Sequence, residues 1–133
     1  MATLSTQNLQ IDELTGMLHD VRLTATVTVE LNRIERALLK SGEVDFILQS
    51  SVWGIDGNLL NGDNDNLFYF SDQTMTREGT YTFSRIVPRH VLNEDHSRFN
   101  RDDEISASFS LRCFDRDFPI DTSIMTPIYR GYF

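Results

Sequence analysis

The chain has 133 residues, of which 40% are hydrophobic and 11% aromatic, and its formal net charge is −8. This length is typical of one domain, and so many aromatic residues exclude a disordered chain. The acidic balance argues against nucleic acid and against an anionic membrane surface as partners, because both attract surfaces rich in Lys and Arg.

The sequence also predicts a compartment. Cys113 is the only cysteine, so no disulfide can form within the chain. The N-terminal stretch MATLSTQNLQIDELTGM has neither the basic nor the apolar region of a signal peptide. No stretch approaches the roughly 20 apolar residues that a membrane span needs. We therefore expect a soluble, cytoplasmic protein.

The first strong element comes after a polar start. Residues 1–16 are polar with scattered leucines, and we expect a weakly ordered tail or a short helical turn there. The segment VRLTATVTVEL at 21–31 instead alternates strictly between apolar and polar residues. This period of two, with many β-branched residues, predicts a strand with one buried face. Residues 17–133 are expected to form a single domain.

The next segments mix one helix with further strands. Residues 33–40, RIERALLK, are good helix formers and precede Gly42, which suits a helix end. They predict a short helix, with a continued and bulged strand as the alternative. Strands are predicted at 43–53 and at 67–70, and both carry apolar residues on both faces. Such strands lie centrally in a sheet or in an interface.

The C-terminal half is also predicted to be β-structure. A turn at 71–79 leads to a strand at 80–87, and residues 90–92 are expected to pair briefly inside the charged connection 88–104. The segment ISASFSLRCF at 105–114 alternates again and puts Cys113 on the buried face. After a loop at 115–122, the last strand at 123–133 contains Pro127, which indicates an edge or a bulge.

These elements predict an all-β fold. We expect a single-domain antiparallel β-sandwich of six to eight strands with at most one short helix. A closed barrel is the alternative.

Acidic residues concentrate in the loops. Calcium takes six to eight oxygen ligands, often carboxylates that converge from loops. If each connection reverses the chain, loops 54–66 and 88–104 lie at one end of the sandwich, and loop 115–122 lies at the other. The candidate calcium ligands are therefore Asp56, Asp63, Asp65, Asp95 and Asp102.

A purely structural interpretation of these loops is favoured. Loop 54–66 does not match an EF-hand, since Asn66 stands where glycine is needed and the strand-like LFYF interrupts the motif. Asp, Asn and Gly fill turns because their side chains bond the local backbone and tolerate left-handed conformations. We therefore expect no cofactor, with Ca²⁺ as the alternative.

The histidines give a weaker hypothesis of catalysis. His90 and His96 share a loop with Asp95, so a hydrolase that uses these loop histidines is an alternative. No nucleophile elbow of the G-x-S-x-G type accompanies them, and two histidines without a nearby cysteine fall short of a zinc site. A binding protein is therefore favoured over an enzyme.

Aromatic residues favour a binding role. Trp53 ends a predicted strand beside loop 54–66, and Phe68 and Phe70 share one face of the strand at 67–70. Exposed aromatic residues often mark binding surfaces. We predict a non-catalytic structural or interaction module that self-associates as a homo-oligomer or binds another protein. The alternative is a calcium-dependent binding module that uses loops 54–66 and 88–104.

Overall fold

The computed structural model describes residues 2–14, 19–55, 65–92, 103–113, 115 and 120–131. These residues form nine strands, the helix α1 (Arg33–Ser41) and a short 3-10 helix (Arg89–Val91). The strands are β1 (Thr3–Glu13), β2 (Asp20–Glu30), β3 (Ile47–Gly54), β4 (Asp65–Tyr69), β5 (Gln73–Thr74), β6 (Gly79–Pro88), β7 (Asp103–Cys113), β8 (Ile120–Met125) and β9 (Tyr129–Gly131).

The strands form two antiparallel sheets that pack face to face. The small sheet has the order β1-β2-β6. The large sheet has six strands, with β3 and β7 paired at its centre. Buried side chains from both sheets form one hydrophobic core between them. The sheets do not close into a barrel, so the predicted all-β sandwich is confirmed.

Each edge of the large sheet consists of two short strands. Along β3, β4 pairs with residues 51–54 and β5 with residues 47–48. Along β7, β8 pairs with residues 108–113 and β9 with residues 103–105. Pro127 lies between β8 and β9. Proline has no backbone N–H, so it cannot donate a hydrogen bond to a neighbouring strand. The single strand predicted at 123–133 is therefore interrupted at Pro127, and the divided edges give nine strands among the described residues.

The two strands with the cleanest alternation were predicted correctly. In β2, every second residue from Val21 to Val29 is fully buried, and the residues between them are partly or fully exposed. In β7, the side chains of Ile105, Phe109 and Leu111 are likewise fully buried. Both strands pack one face against the opposite sheet and turn the other outward, which is the arrangement that a period of two indicates.

Residues 3–13 form a strand, and the expected tail or helical turn is not found there. β1 pairs with β2 along its length, apart from a bulge between Ser5 and Asn8 where Thr6 has a positive φ of 49°. Only Leu4 and Leu9 of this strand are buried. Backbone pairing with β2 therefore orders a polar segment that has little apolar side-chain surface to bury.

The helix α1 is confirmed, together with its predicted end. Asn32 and Glu35 form a reciprocal capping box at its start. Gly42 ends the helix in the left-handed conformation, with φ 74°. The Glu35 side chain is buried, and its second carboxylate oxygen accepts a hydrogen bond of 2.9 Å from the Ala2 amide. Glu35 therefore ties the start of the chain to the helix.

Glu78 anchors the same helix from the turn before β6. The Leu31 amide donates to its Oε2 at 2.9 Å, and Arg36 forms an ion pair with its Oε1 at 3.1 Å. The Leu31 hydrogen bond and then the Arg36 guanidinium hold the pKa of Glu78 below its usual 4.5. The carboxylate form of Glu78 is therefore the one that the fold stabilises.

Four local predictions were wrong. The strand β3 begins at Ile47 rather than at 43, although Phe46 before it is buried. The strand β4 lies at an edge, which contradicts the central position, one of the alternatives given for a strand that is apolar on both faces. Residues 89–91 form a 3-10 helix in place of a strand. The strand β8 already begins at Ile120, inside the predicted loop 115–122.

Four phenylalanine rings form a chain of contacts through the core. Phe68 packs edge-on against Phe70 with ring centroids 5.3 Å apart. Phe70 lies 5.8 Å from Phe83 of β6, and Phe83 lies 6.1 Å from Phe109 of β7. The contacts join β4 and β7 of the large sheet to β6 of the small sheet, so they fix how the sheets pack.

Candidate functional site

The outer face of the large sheet carries the best candidate for a binding surface. The register of β3 with β4, β7 and β8 places alternate residues of these strands on that face. One row across the sheet runs from Tyr69 to Ser51, Ser108 and Met125, and Trp53 stands opposite Asn66 in the next row. We call this surface the tryptophan face, formed by Ser51, Trp53, Asn66, Tyr69, Ser108 and Met125.

Two serine hydroxyls hold the Trp53 side chain on this face. Its Nε1–H lies 2.9 Å from the Ser51 Oγ and 3.0 Å from the Ser108 Oγ. The two hydroxyl oxygens are themselves 2.8 Å apart. Trp53 is half-buried, so one surface of the indole packs on the sheet and another meets solvent. The hydrogen bonds fix the orientation of a large aromatic side chain, and fixed aromatic rings lose little entropy on binding.

Tyr69 and Asn66 of β4 lie on the same face as Trp53, and of these two only Tyr69 is exposed. Tyr69 is 67% exposed, the largest exposed fraction among the described large hydrophobic residues. The Asn66 Nδ2 is buried and has no hydrogen-bond partner within the described part of the chain.

Charged side chains of this face lie at its margins. Arg112 pairs with Asp121 at 3.8 Å at one end, and Arg130 pairs with Glu104 at 3.3 Å at the other. Asp72 lies at the β5 side and accepts a hydrogen bond of 3.2 Å from Gln49. The rows that contain Tyr69 and Trp53 carry no charged residue among the paired positions described. The centre of the face is therefore uncharged.

The three aromatic residues predicted as a binding surface do not share one face. Trp53 points outward from β3. Phe68 stands opposite Val52 of the buried face and is half-buried at the sheet edge. Phe70 is only 5% exposed and belongs to the core. The structure thus separates Trp53 from the two phenylalanines and brings it together with Tyr69, Ser51 and Ser108.

The open sides of the sandwich are bridged by side chains. On one side, the Gln73 amide donates to the Thr82 carbonyl at 2.7 Å, and Arg85 donates to the Tyr69 carbonyl at 3.0 Å. On the other side, the Gln7 amide donates to the Met125 carbonyl at 3.2 Å. These donors occupy carbonyl groups that edge strands otherwise offer to another strand.

A surface groove of about 560 Å³ lies between these two sheet edges, beside Gln73 and Arg85. Its walls are residues 70–73 and 82–85. Arg85 stacks over the Phe68 ring at 5.5 Å as well as bonding Tyr69. Because this cation already contacts an aromatic ring and a carbonyl, the groove offers less binding capacity than the tryptophan face.

The bases of the first two acidic loops lie side by side. Gly54 at the end of β3 stands opposite Ile105 in β7, and the Ile55 amide donates to the Glu104 carbonyl at 2.7 Å. Asp65 is exposed and stands opposite Gly54 on the other side. Asp121 lies at the other end of β7, opposite Arg112. For the described residues, this arrangement matches the ends expected from chain reversal.

Of the five predicted calcium ligands, only Asp65 lies among the described residues. Asp56, Asp63, Asp95 and Asp102 lie outside the residues that the structure describes. Within the described ranges, no three His, Cys, Asp or Glu side chains lie close enough to hold a metal ion. The calcium site therefore stays a prediction.

Of the three loop residues considered for catalysis, only His90 lies among the described residues. His90 is exposed in the 3-10 helix, while His96 and Asp95 lie outside the described residues. His19 is exposed near the start of β2, where its carbonyl accepts a hydrogen bond from the Arg89 amide. Cys113 is buried, 3% exposed, on the core face of β7 as the alternation predicted.

Comparisons with known proteins inform the fold alone. No family model matches the chain, and no curated protein matches its sequence. A crystal structure of a protein from Archaeoglobus fulgidus is similar, with a TM-score of 0.51 and 11% identity over 98% of each chain. Structures of β-glucosidase 3B from Thermotoga neapolitana with glycerol and with glucose match at a TM-score of 0.37 and 9% identity, over 99% of this chain and 17% of that enzyme.

The archaeal structure supports the sandwich fold of the whole chain, and its sequence identity is too low to carry a function. The β-glucosidase match is too weak to carry any argument. Among the described residues, no helix is both long enough and apolar enough to cross a membrane. The candidate site consequently rests on the geometry of the tryptophan face.

Proposed function

We propose that the protein is a non-catalytic interaction module that binds a protein partner, itself or another, through the tryptophan face. The observation that carries this proposal is the exposed Tyr69 beside a hydrogen-bonded Trp53 on the uncharged centre of an open sheet face. Trp and Tyr are the residues most enriched at the energetic centres of protein interfaces.

The surroundings of Trp53 support the proposal that its half-exposed side chain is part of a contact surface. The indole is oriented by Ser51 and Ser108 before any partner arrives, so its ordering costs little on binding. Aromatic residues at the centre and charged residues at the margin are a common composition of a protein interface.

The test compares two variants that each remove one exposed apolar side chain. Tyr69→Ser changes the tryptophan face, and Ile86→Ser changes the outer face of the small sheet, where Ile86 is 47% exposed. Wild type and both variants are immobilised and incubated with an extract of the source cells. Proteins retained by wild type and by Ile86→Ser, and lost with Tyr69→Ser, are the expected result. Equal retention by all three chains would contradict the proposed surface.

A calcium-dependent binding module is the second candidate. It is favoured by the adjacent bases of loops 54–66 and 88–104, joined by the hydrogen bond from Ile55 to Glu104. Carboxylates that converge there would repel one another until a cation binds. A cation that binds only the folded state stabilises it by RT ln(1 + [Ca]/Kd), about 2.7 kcal/mol at a hundredfold excess over Kd.

Thermal melts test this candidate. Millimolar calcium is compared with magnesium, with sodium chloride matched to each ionic strength. Magnesium is expected to act less, because it needs a tighter octahedral site and releases its water reluctantly. A calcium-specific rise in the melting temperature that disappears in the double variant Asp63→Asn/Asp65→Asn would support the site. Equal shifts with every salt would show general screening of the charge instead.

A further inference from the structure

We infer that the partner of the tryptophan face is a second copy of this chain, bound face to face about a two-fold axis. This inference rests on the proposed function and adds the identity of the partner. In such a dimer the same patch lies on both sides of the interface, so each group on it meets a copy of itself or of a neighbour.

The distribution of charge carries the inference. The chain has a net charge of −8, so two copies repel each other over most approaches. On the tryptophan face, the ion pairs Arg112–Asp121 and Arg130–Glu104 each bring together one positive and one negative side chain. The rows between these pairs are uncharged. This face is therefore one on which two acidic copies can approach without bringing like charges into contact, and unlike the uncharged threonine rows of the small sheet it also carries Trp53 and the exposed Tyr69.

The same distribution argues against a basic partner at this face. A basic partner would need carboxylates on this face that are not already paired with a cation. Arg112, Asp121, Arg130 and Glu104 are all in ion pairs. Asp72, the remaining charged side chain named above for this face, lies at its margin and accepts a hydrogen bond from Gln49. The uncharged centre fits a copy of itself better than a cationic surface.

The sheet edges are less suited to the same contact. Gln73, Arg85 and Gln7 already donate to carbonyl groups along both open sides of the sandwich. An edge-to-edge dimer would have to displace these donors before it gained new backbone hydrogen bonds. A contact between two faces leaves all three bonds intact.

Sedimentation equilibrium of the full chain tests the inference, with the emission of Trp53 as a second readout. The chain has a single tryptophan, so its emission reports directly on this face. We expect concentration-dependent dimerisation with a blue shift as the indole loses water. Raising sodium chloride from about 20 to about 300 mM should tighten the dimer roughly threefold or more, because salt screens the repulsion between two acidic copies.

Two variants locate the contact. Tyr69→Ser should weaken dimerisation about tenfold or more, since truncated interface aromatics typically cost that much. Ile86→Ser, on the small sheet, should leave it unchanged. Far-UV circular dichroism checks that both variants fold. Equal dimerisation of both variants, or a dimer that weakens with salt, would overturn the assignment of a neutral face-to-face contact.

The failure of this inference can be told apart from failure of the proposed function. A wild-type chain that stays monomeric up to about 500 µM, a very weak affinity on the usual scale, overturns the second copy as partner. If the extract experiment still shows proteins lost only with Tyr69→Ser, the face binds a different protein and the proposed function stands. If that experiment also shows no difference, both proposals fail.

Discussion

Removing the Phe109 ring should destabilise the fold far more than changing its neighbour Ser108. Phe109 is fully buried and lies 6.1 Å from Phe83, in the chain of rings that joins the two sheets. Phe109→Ala leaves a cavity that the surrounding strands can only partly fill, because paired backbones hold them apart. Phe→Ala in such cores costs about 3–5 kcal/mol. That is a large part of the roughly 5–15 kcal/mol that holds a domain together.

The matched control is Ser108→Ala. Ser108 is next to Phe109 in β7 but faces outward, where its hydroxyl bonds Trp53 and Ser51. After the change, the Trp53 Nε1–H keeps its 2.9 Å bond to the Ser51 Oγ. The expected cost is about 1 kcal/mol, the usual net value of one such hydrogen bond.

Urea unfolding followed by Trp53 fluorescence measures both variants. With an m-value near 2 kcal/mol/M, Phe109→Ala should lower the midpoint by about 2 M, and Ser108→Ala by about 0.5 M. The Ser108 variant should also shift the emission of the folded state, because the indole loses one of its two hydroxyl partners. Equal losses of stability in the two variants would mean that the assignment of inner and outer faces in β7 is mistaken.

Three further predictions concern the two glutamates that bond the backbone near helix α1 and the buried thiol. Glu35→Gln should cost about 1–3 kcal/mol in chemical denaturation, since an amide cannot accept at both positions of the buried carboxylate and one backbone N–H loses its partner. The pKa of Glu78 is lowered in the folded state, so its contribution to stability is present above pH 4.5. That contribution is lost as the pH falls from 4.5 through the lowered pKa. Thermal melts of Glu78→Gln at a series of pH values should lack this dependence. Cys113 should react slowly with a thiol reagent in native buffer and quickly in urea, and rapid native labelling would place it on the surface.

The sequence predicts best where a strand has one buried and one open face. β2 and β7 are central in their sheets, so their inward residues pack against the opposite sheet and must be apolar. That requirement leaves a period of two in the sequence. The helix was also predictable, because Gly42 ends it through a backbone conformation that few other residues adopt.

The strand β1 could not be predicted in the same way. It lies at the edge of the small sheet, and most of its side chains face outward or sit at the margin. Its order comes from backbone hydrogen bonds to β2, and these leave no mark on side-chain composition. Only Leu4 and Leu9 show which face is buried, and two residues five positions apart do not establish a period of two.

The candidate site was predicted in part. Trp53 stood out as a single large aromatic residue beside a loop, and the structure keeps it half-exposed. Phe70 is predicted on the binding surface because the strand at 67–70 is apolar on both faces, but its side chain lies in the core. Ser51 and Ser108 were missed, because only the register of β3 with β7 brings residues so distant in sequence together.

The sequence of β7 also explains how the Trp53 side chain is held close to the sheet. The inward residues of β7 are apolar, and the outward ones between 106 and 110 are all serine. Serine is small enough to leave room above the strand, and its hydroxyl can accept from the indole N–H. A β-branched or longer residue at 108 would fill the space next to Ser51 and push the ring into solvent. The hydroxyls of Ser108 on β7 and Ser51 on β3 therefore orient the one tryptophan of the chain.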